Sequence, residues 1–238
     1  MKLDILVLAA HPDDAELGCG GTIAKHIAMN QKVGIVDFTR GELGTRGTPE
    51  TRDQEAAASS KILGLSIREN LGFRDGFFAI DEQHQLEVIR VIRKYKPEIV
   101  LANAIMDRHP DHGKGAELAF KACFMAGLNK IETIDADLKQ APWRPKVLYH
   151  YIQSQMIKPD FVVDVSDFWK KKMESVMAYK SQFHDPNSSE PETYISSQGF
   201  LNMLESRGVE LGHAIGASYG EGFTIRRTIG LNALTDIR

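Results

Sequence analysis

Cysteine is scarce in this 238-residue chain. Cys19 and Cys123 are the only two, too few for a disulfide framework. Both are flanked by helix-like sequence, so reduced thiols and a cytoplasmic setting are expected. Long apolar runs are missing too. The longest, Ile5 to Ala10, has six residues, against the roughly 20 that a helix needs to cross a bilayer. Met1-Lys2-Leu3-Asp4 enters that run without a small-residue cleavage site, so no secretory signal is expected. Charge of one sign is not in excess: 29 Lys+Arg face 32 Asp+Glu, a formal net charge of −3. No basic surplus is left for the phosphate-neutralising term that drives nucleic-acid binding. Internal repeats and low-complexity tracts are also absent. What remains is an ordinary globular composition, 42% hydrophobic and 26% charged. A chain of this length buries roughly 70–75% of its unfolded surface without staples.

The first two-thirds alternate short apolar runs with amphipathic stretches. Ile5–Ala10, Val33–Phe38 and Ile99–Ala102 read as strands, with a short extended piece around Arg68–Leu71. Thr22–Ala28, residues 50–63 (capped by Thr48 or Thr51), Glu82–Tyr95 and Gly113–Met125 read as helices. Strands alternating with helices mean βαβ units, hence an α/β fold: a Rossmann-like, mostly parallel sheet with helices on both faces. The last third is less regular, with strands expected at Val147–Ile152 and Phe161–Val165. Helices are expected at Phe168–Gln182 and Gln198–Glu210, separated by a loop at His184–Pro191. No linker composition cuts the chain, so residues 1–238 are expected to form a single domain.

One short pattern occurs twice: His11-Pro12-Asp13-Asp14 and His109-Pro110-Asp111-His112. Eight His, nine Pro and sixteen Asp in random order would give about 0.02 His-Pro-Asp triplets per chain. Both copies follow predicted strands, at the edge where open α/β sheets bind ligands. His11 and Asp14 flank a turn fixed by Pro12 and can converge on one metal ion, with His112 as a third ligand. Two imidazoles and one carboxylate leave a position open for water, as catalytic zinc sites do. The same set suits iron(II), and the residues do not separate the two metals. Asp13 then lies beside the metal, free to take a proton from water. His109 could present a cationic imidazole to an oxyanion, with Asp111 holding it charged and oriented. The bland alternative is a pair of turns whose aspartates cap helices.

Ala10 to Glu16, Gly20-Gly21-Thr22 and Arg108 to His112 resemble the LmbE/PIG-L zinc-dependent de-N-acetylases. The resemblance extends through Thr39 to Gly47, Arg52, Tyr179 to Phe183 and Tyr219 to Phe223, most of the chain. It is closest to the bacillithiol-pathway branch, whose substrate is N-acetylglucosaminyl malate. It implies that His11, Asp14 and His112 bind zinc, that Asp13 is the general base, and that His109 with Asp111 is the electrophilic and acid partner. It also implies a homo-oligomer, as does an apolar C-terminal third without an evident partner face. Arg52 matches a substrate-contacting arginine, and Tyr194 resembles a mobile tyrosine near the oxyanion. Arg40, Arg46, Arg52 and Arg108 lie in or beside the loops expected to rim the metal, where guanidinium groups could grip a malate's carboxylates.

Competing signals are weaker. Gly216-Ala217-Ser218-Tyr219-Gly220 matches a serine-hydrolase elbow, but no histidine follows it. Gly18-Cys19-Gly20-Gly21 lacks the third glycine of a dinucleotide fingerprint, Ile23 standing in its place. Those glycines are better read as permitting tight helix packing below the metal. A non-catalytic metal- or sugar-binding protein stays open, although such a protein needs no spare carboxylate like Asp13. So does a deacetylase for another N-acetylglucosamine conjugate, such as a chitooligosaccharide.

Overall fold

A computed structural model describes residues 1–236. Its centre is a seven-stranded sheet of order β3-β2-β1-β4-β7-β9-β8. The strands are β1 (Ile5–Ala9), β2 (Val33–Thr39), β3 (Ile67–Phe73), β4 (Ile99–Ala102), β7 (Val147–Tyr151), β8 (Phe161–Asp164) and β9 (Gly220–Ile225). The first five in sequence pair in parallel, and β9 runs antiparallel to both β7 and β8. A separate hairpin, β5 (Ile134–Asp135) and β6 (Leu138–Lys139), has no counterpart in the expected elements.

Because strand side chains alternate between faces, the apolar strands feed two cores. Leu6, Leu8, Val36, Phe38 and Val100 pack under α3 (Glu82–Tyr95) and α4 (Pro110–Met125). Ile5, Val7, Ile35 and Leu101 pack under α1 (Asp14–Ala28) and Leu63 of α2 (Pro49–Leu63). Helices thus cover both faces, as the strand-helix alternation requires. Among the described residues, no helix is long and apolar enough to cross a membrane.

Three boundaries differ from expectation. α1 begins at Asp14 and breaks at Cys19 (φ −148°, ψ 24°) into two segments. The amides of Gly21 and Thr22, freed by the break, donate to the Glu221 carboxylate of β9 at 2.9 and 2.7 Å. The glycines there do allow close packing: a Cβ on Gly18 would stand 2.2 Å from the Tyr151 ring. α4 begins at Pro110 rather than Gly113, so Asp111 and His112 lie in its first turn. The helix expected over 168–182 ends at Val176, as α5 (Trp169–Val176). Beyond it, Tyr179 and Gln182 make i→i−3 turn bonds, which swing Tyr179 toward Glu16 and Ser181 toward Glu55. α6 (Gln198–His213) packs against β9 and β8.

Candidate active site

The strand order reverses direction between β1 and β4, and both His-Pro-Asp tetrads follow those two strands. That is where the crevice of a doubly wound sheet opens. Buried Asn103 ties the two strand ends together. Its Oδ1 accepts from Ala10 N at 2.8 Å, and its Nδ2 donates to Asp14 and to Gln153 Oε1, each at 3.0 Å.

The tetrads converge. His112 Nε2 lies 3.0 Å from Asp14 Oδ1, and His11 Nδ1 lies 3.4 Å from Asp14 Oδ2. The ring nitrogens of His11, His109 and His112 come within 4.8 Å of one another. Each of the two imidazoles beside Asp14 is held from behind by carboxylates. His112 Nδ1 meets Asp107 Oδ2 at 2.5 Å; His11 Nε2 faces Asp75 Oδ1 at 3.1 Å and Asp111 Oδ2 at 3.3 Å. This carboxylate–imidazole arrangement is how metal-binding histidines are commonly fixed in tautomer and direction. Gln153 completes the surround, donating to Asp14 Oδ1 at 2.8 Å.

The electrostatics follow from these contacts. Burial disfavours the charged forms of His11 and His112, but the facing carboxylates outweigh it. The His11 pKa is held well above the ordinary value, and that of His112 rises to about 9. Burial would likewise raise Asp14, yet His112 and His11 hold its carboxyl well below the usual range. A cluster that keeps two protons among these carboxylates has the donors and the charge to hold a divalent cation in their place.

Asp13 stands apart from this cluster. It caps α1 in the left-handed region at φ 104°, a conformation that a non-glycine residue keeps only where its surroundings enforce it. Burial pushes its carboxyl up to about 7, with the Arg52 guanidinium opposing. Arg52 Nη2 lies 3.2 Å from Asp13 Oδ2 and also donates to Pro12 O.

Two expected roles are revised. Asp111 does not hold His109: its carboxylate is occupied by His11, by Gly76 N at 2.9 Å and by Lys114 Nζ at 2.8 Å. Instead its backbone N–H donates to His109 Nδ1 at 3.3 Å, because His109 is the N-cap of α4 and its side chain accepts from that first turn. An accepting Nδ1 is unprotonated, which leaves Nε2 as the N–H donor of a neutral ring. Burial and the neighbouring His11 and His112 lower the His109 pKa in the same direction. The geometry favours a neutral, Nε2–H-donating His109 over the cation expected from sequence.

The arginine rim is thinner than expected. Arg40 pairs with Asp53 at 2.5 Å on the surface. Arg46 is buried and tied to Glu190 (3.1 Å) and Ser188 (2.7 Å), and Arg52 is bound to Asp13 and Pro12. Arg108 makes no ion pair among the described residues, and its guanidinium lies 4.2 Å over the Tyr194 ring at the cavity mouth. Asp75, Asn103, Asp107 and Gln153 were missed by sequence reasoning. Asp107, five residues before His112, was the one within reach of a local-spacing argument.

The comparisons with known proteins agree with this geometry. Residues 6–123 match the family model described as PIG-L: GlcNAc-PI de-N-acetylase, a span that contains both tetrads. The chain is 30% identical over 189 residues to the diacetylchitobiose deacetylase of Thermococcus kodakarensis, covering 75% of this chain and 70% of that protein.

The chain belongs to the PIG-L family.

The crystal structure of the conserved protein TT1542 from Thermus thermophilus superposes with a TM-score of 0.86 at 37% identity, over 98% of both chains. More distant relatives carry the names of different activities. The 4-oxalmesaconate hydratase of Pseudomonas putida is 26% identical, over 75% of this chain and 74% of its own length. The probable N-acetyl-alpha-D-glucosaminyl L-malate deacetylase 2 of Bacillus anthracis is 24% identical, over 75% and 81%.

Proposed function

We propose that this chain hydrolyses the N-acetyl amide of an N-acetylglucosamine derivative, releasing acetate and the free amino sugar. The observation that carries the reading is two carboxylate-backed imidazoles meeting Asp14, with the strained, unligated carboxylate of Asp13 beside them. His11, Asp14 and His112 would hold a divalent metal, zinc in this reading, with iron(II) as the alternative. When bound, such an ion supplies Lewis acidity and a water of lowered pKa.

The chain's own residues supply the rest. Asp13 accepts the proton of the attacking water, and its burial makes the carboxyl basic enough to do so. Arg52 holds Asp13 in its strained turn. His109 offers Nε2–H to the amide oxygen as negative charge develops there. Asp107, Asp75 and Asp111 orient the two metal-facing imidazoles. A binding protein would have no use for a carboxylate kept like Asp13.

For the substrate we infer N-acetylglucosaminyl L-malate of bacillithiol biosynthesis, handled by a cytoplasmic homo-oligomer. The Bacillus relative's name supports this, as does Arg108, the cation at the mouth with no carboxylate partner among the described residues. A chitooligosaccharide is the second reading, favoured by the higher identity to the Thermococcus enzyme. Acetate release from the malate conjugate, from diacetylchitobiose and from N-acetylglucosamine, each with zinc and with iron(II), tests class and aglycone together. Release from none of them overturns the reading.

A further inference from the structure

The cavity containing these groups measures about 240 Å3. One water's share of liquid volume is about 30 Å3, so the space far exceeds an acetyl group. Its two ends differ in chemistry. At the mouth stand exposed Thr45, Arg108 and Tyr194. Inward, past Asp14, the walls are Leu17, Ile152, Trp169, Phe200, Leu204 and Leu211, all buried except half-buried Leu17. The two ends are continuous. Leu17 follows Asp14 by one turn on the same face of α1, and Ile152 directly precedes Gln153, which bonds Asp14.

The charged groups at the inner end are satisfied by the protein. Lys172 donates to Leu17 O at 2.8 Å and to Glu221 Oε1 at 2.6 Å, Glu221 also accepts the two α1 amides, and half-buried Arg207, on α6 between Leu204 and Leu211, donates to Ser154 O at 2.9 Å. The indole Nε1 of Trp169 is left without a partner. The ring itself is fixed: it stacks on Tyr219 with centroids 4.5 Å apart and seats on Gly208, where a Cβ would come within 2.4 Å of it.

We propose that this inner end is an acyl-chain subsite, so that the site also accepts amides whose acyl chain is longer than acetyl. The inference rests on the amide-hydrolysis reading above. An amide carbonyl has two substituents, here a sugar amine and an acyl chain. Sugar hydroxyls buried against leucine and phenylalanine would lose their hydrogen bonds, so the sugar side faces the polar mouth and the acyl side faces inward. In the reaction the water oxygen adds to the acyl carbon and the C–N bond breaks. The amine takes both protons of that water and leaves as the ammonium, and the acid leaves as a carboxylate.

The test does not depend on turnover. Trp143→Phe leaves Trp169 as the only tryptophan. The zinc-loaded Trp143→Phe protein is titrated with straight-chain carboxylates from acetate to octanoate while Trp169 emission is followed. Affinity is expected to rise about fourfold per added methylene until the space is filled, with a change in emission. Octanoate binding no tighter than acetate, or tightening without an emission change, overturns the subsite. Met203→Phe, which adds a rigid ring to the same wall, is expected to cut the octanoate-to-acetate affinity ratio at least tenfold; an unchanged ratio overturns it too. In kinetics, kcat/KM is expected to climb from N-acetyl- through N-butanoyl- to N-hexanoylglucosamine. Values that fall along the series overturn the subsite but leave amide hydrolysis standing. Hydrolysis of none of them overturns the amide reading, and the carboxylate titration still decides the subsite.

Discussion

Removing Asp107 should weaken metal binding without touching any ligand. Its side chain is fully buried, and Oδ2 meets His112 Nδ1 at 2.5 Å while Oδ1 accepts from Gln155 N at 2.5 Å. In Asp107→Ala, His112 loses the group that fixes its tautomer and keeps Nε2 directed at Asp14. Loss of such a backing carboxylate typically costs about 10–100-fold in metal affinity, or about 1.4–2.7 kcal/mol. The Gln155 amide also loses an acceptor, which costs about 1 kcal/mol of fold stability and appears in the melting temperature rather than in metal affinity. Asp107→Asn keeps an oxygen that can accept from Nδ1–H and should fall between wild type and alanine. Zinc affinity is measured by competition with a chelator of known strength, on protein whose circular dichroism matches wild type. A zinc Kd within twofold of wild type in Asp107→Ala would refute the assignment of His112 as a ligand oriented from behind.

Three further outcomes are expected. Asp13→Ala should lose about 10²–10⁴-fold in kcat yet retain stoichiometric metal, whereas His112→Ala should lose the metal; near-normal turnover in Asp13→Ala would sink the general-base role. Lys172→Met breaks a buried pair and strands the Glu221 charge, at about 3–5 kcal/mol by chemical denaturation, and Lys172→Met combined with Glu221→Gln, which removes the charge but keeps an oxygen for the α1 amides, should recover part of it. His150 is the site of a pH effect: burial pushes its imidazole down to about 4, against the opposing hydrogen bond to Asn103 O at 2.9 Å. With a folded pKa below the unfolded ~6.5, the unfolded chain binds the extra proton. Stability is then complete above about pH 6.5 and falls by up to ~1.4 kcal/mol per pH unit toward pH 4. His150→Phe should remove about 2 kcal/mol of the stability change between pH 7 and 5; identical slopes in the two proteins would contradict this.

Much of the fold was legible because its signals are local. β1, β2 and β4 are unbroken apolar runs, and α3 carries its apolar positions at helical spacing. β9 escaped because Tyr219-Gly220-Glu221-Gly222-Phe223 has a strand's burial without a strand's composition. Its glycines lie where a side chain would strike Leu211, Ile152 or Val162, a constraint that appears only once α6 and β8 are packed on it. The site divides in the same way. His11, Asp13, Asp14 and His112 were readable from two tetrads at strand ends. Asp75, Asn103 and Gln153 come from three separate segments and acquire meaning only when the sheet joins them. His109 and Asp111 were found, but their relation was misread. Sequence neighbours suggest a side-chain pair, whereas helix capping turns the imidazole toward a backbone amide. The arginines were misread for a related reason: composition counts charges and does not show which carboxylates already neutralise them.

Incubating the metal-loaded protein with N-acetylglucosaminyl L-malate and quantifying acetate and free amine together tests the central claim most directly. Both products are expected in equal amounts, with loss of release on chelation, recovery on adding zinc back, and release at least about a hundredfold slower in Asp13→Ala that still holds its metal. Intact substrate under all of these conditions with every N-acetylglucosamine conjugate tried, or release that survives chelation or stays near the wild-type rate without Asp13, would contradict the proposed reaction.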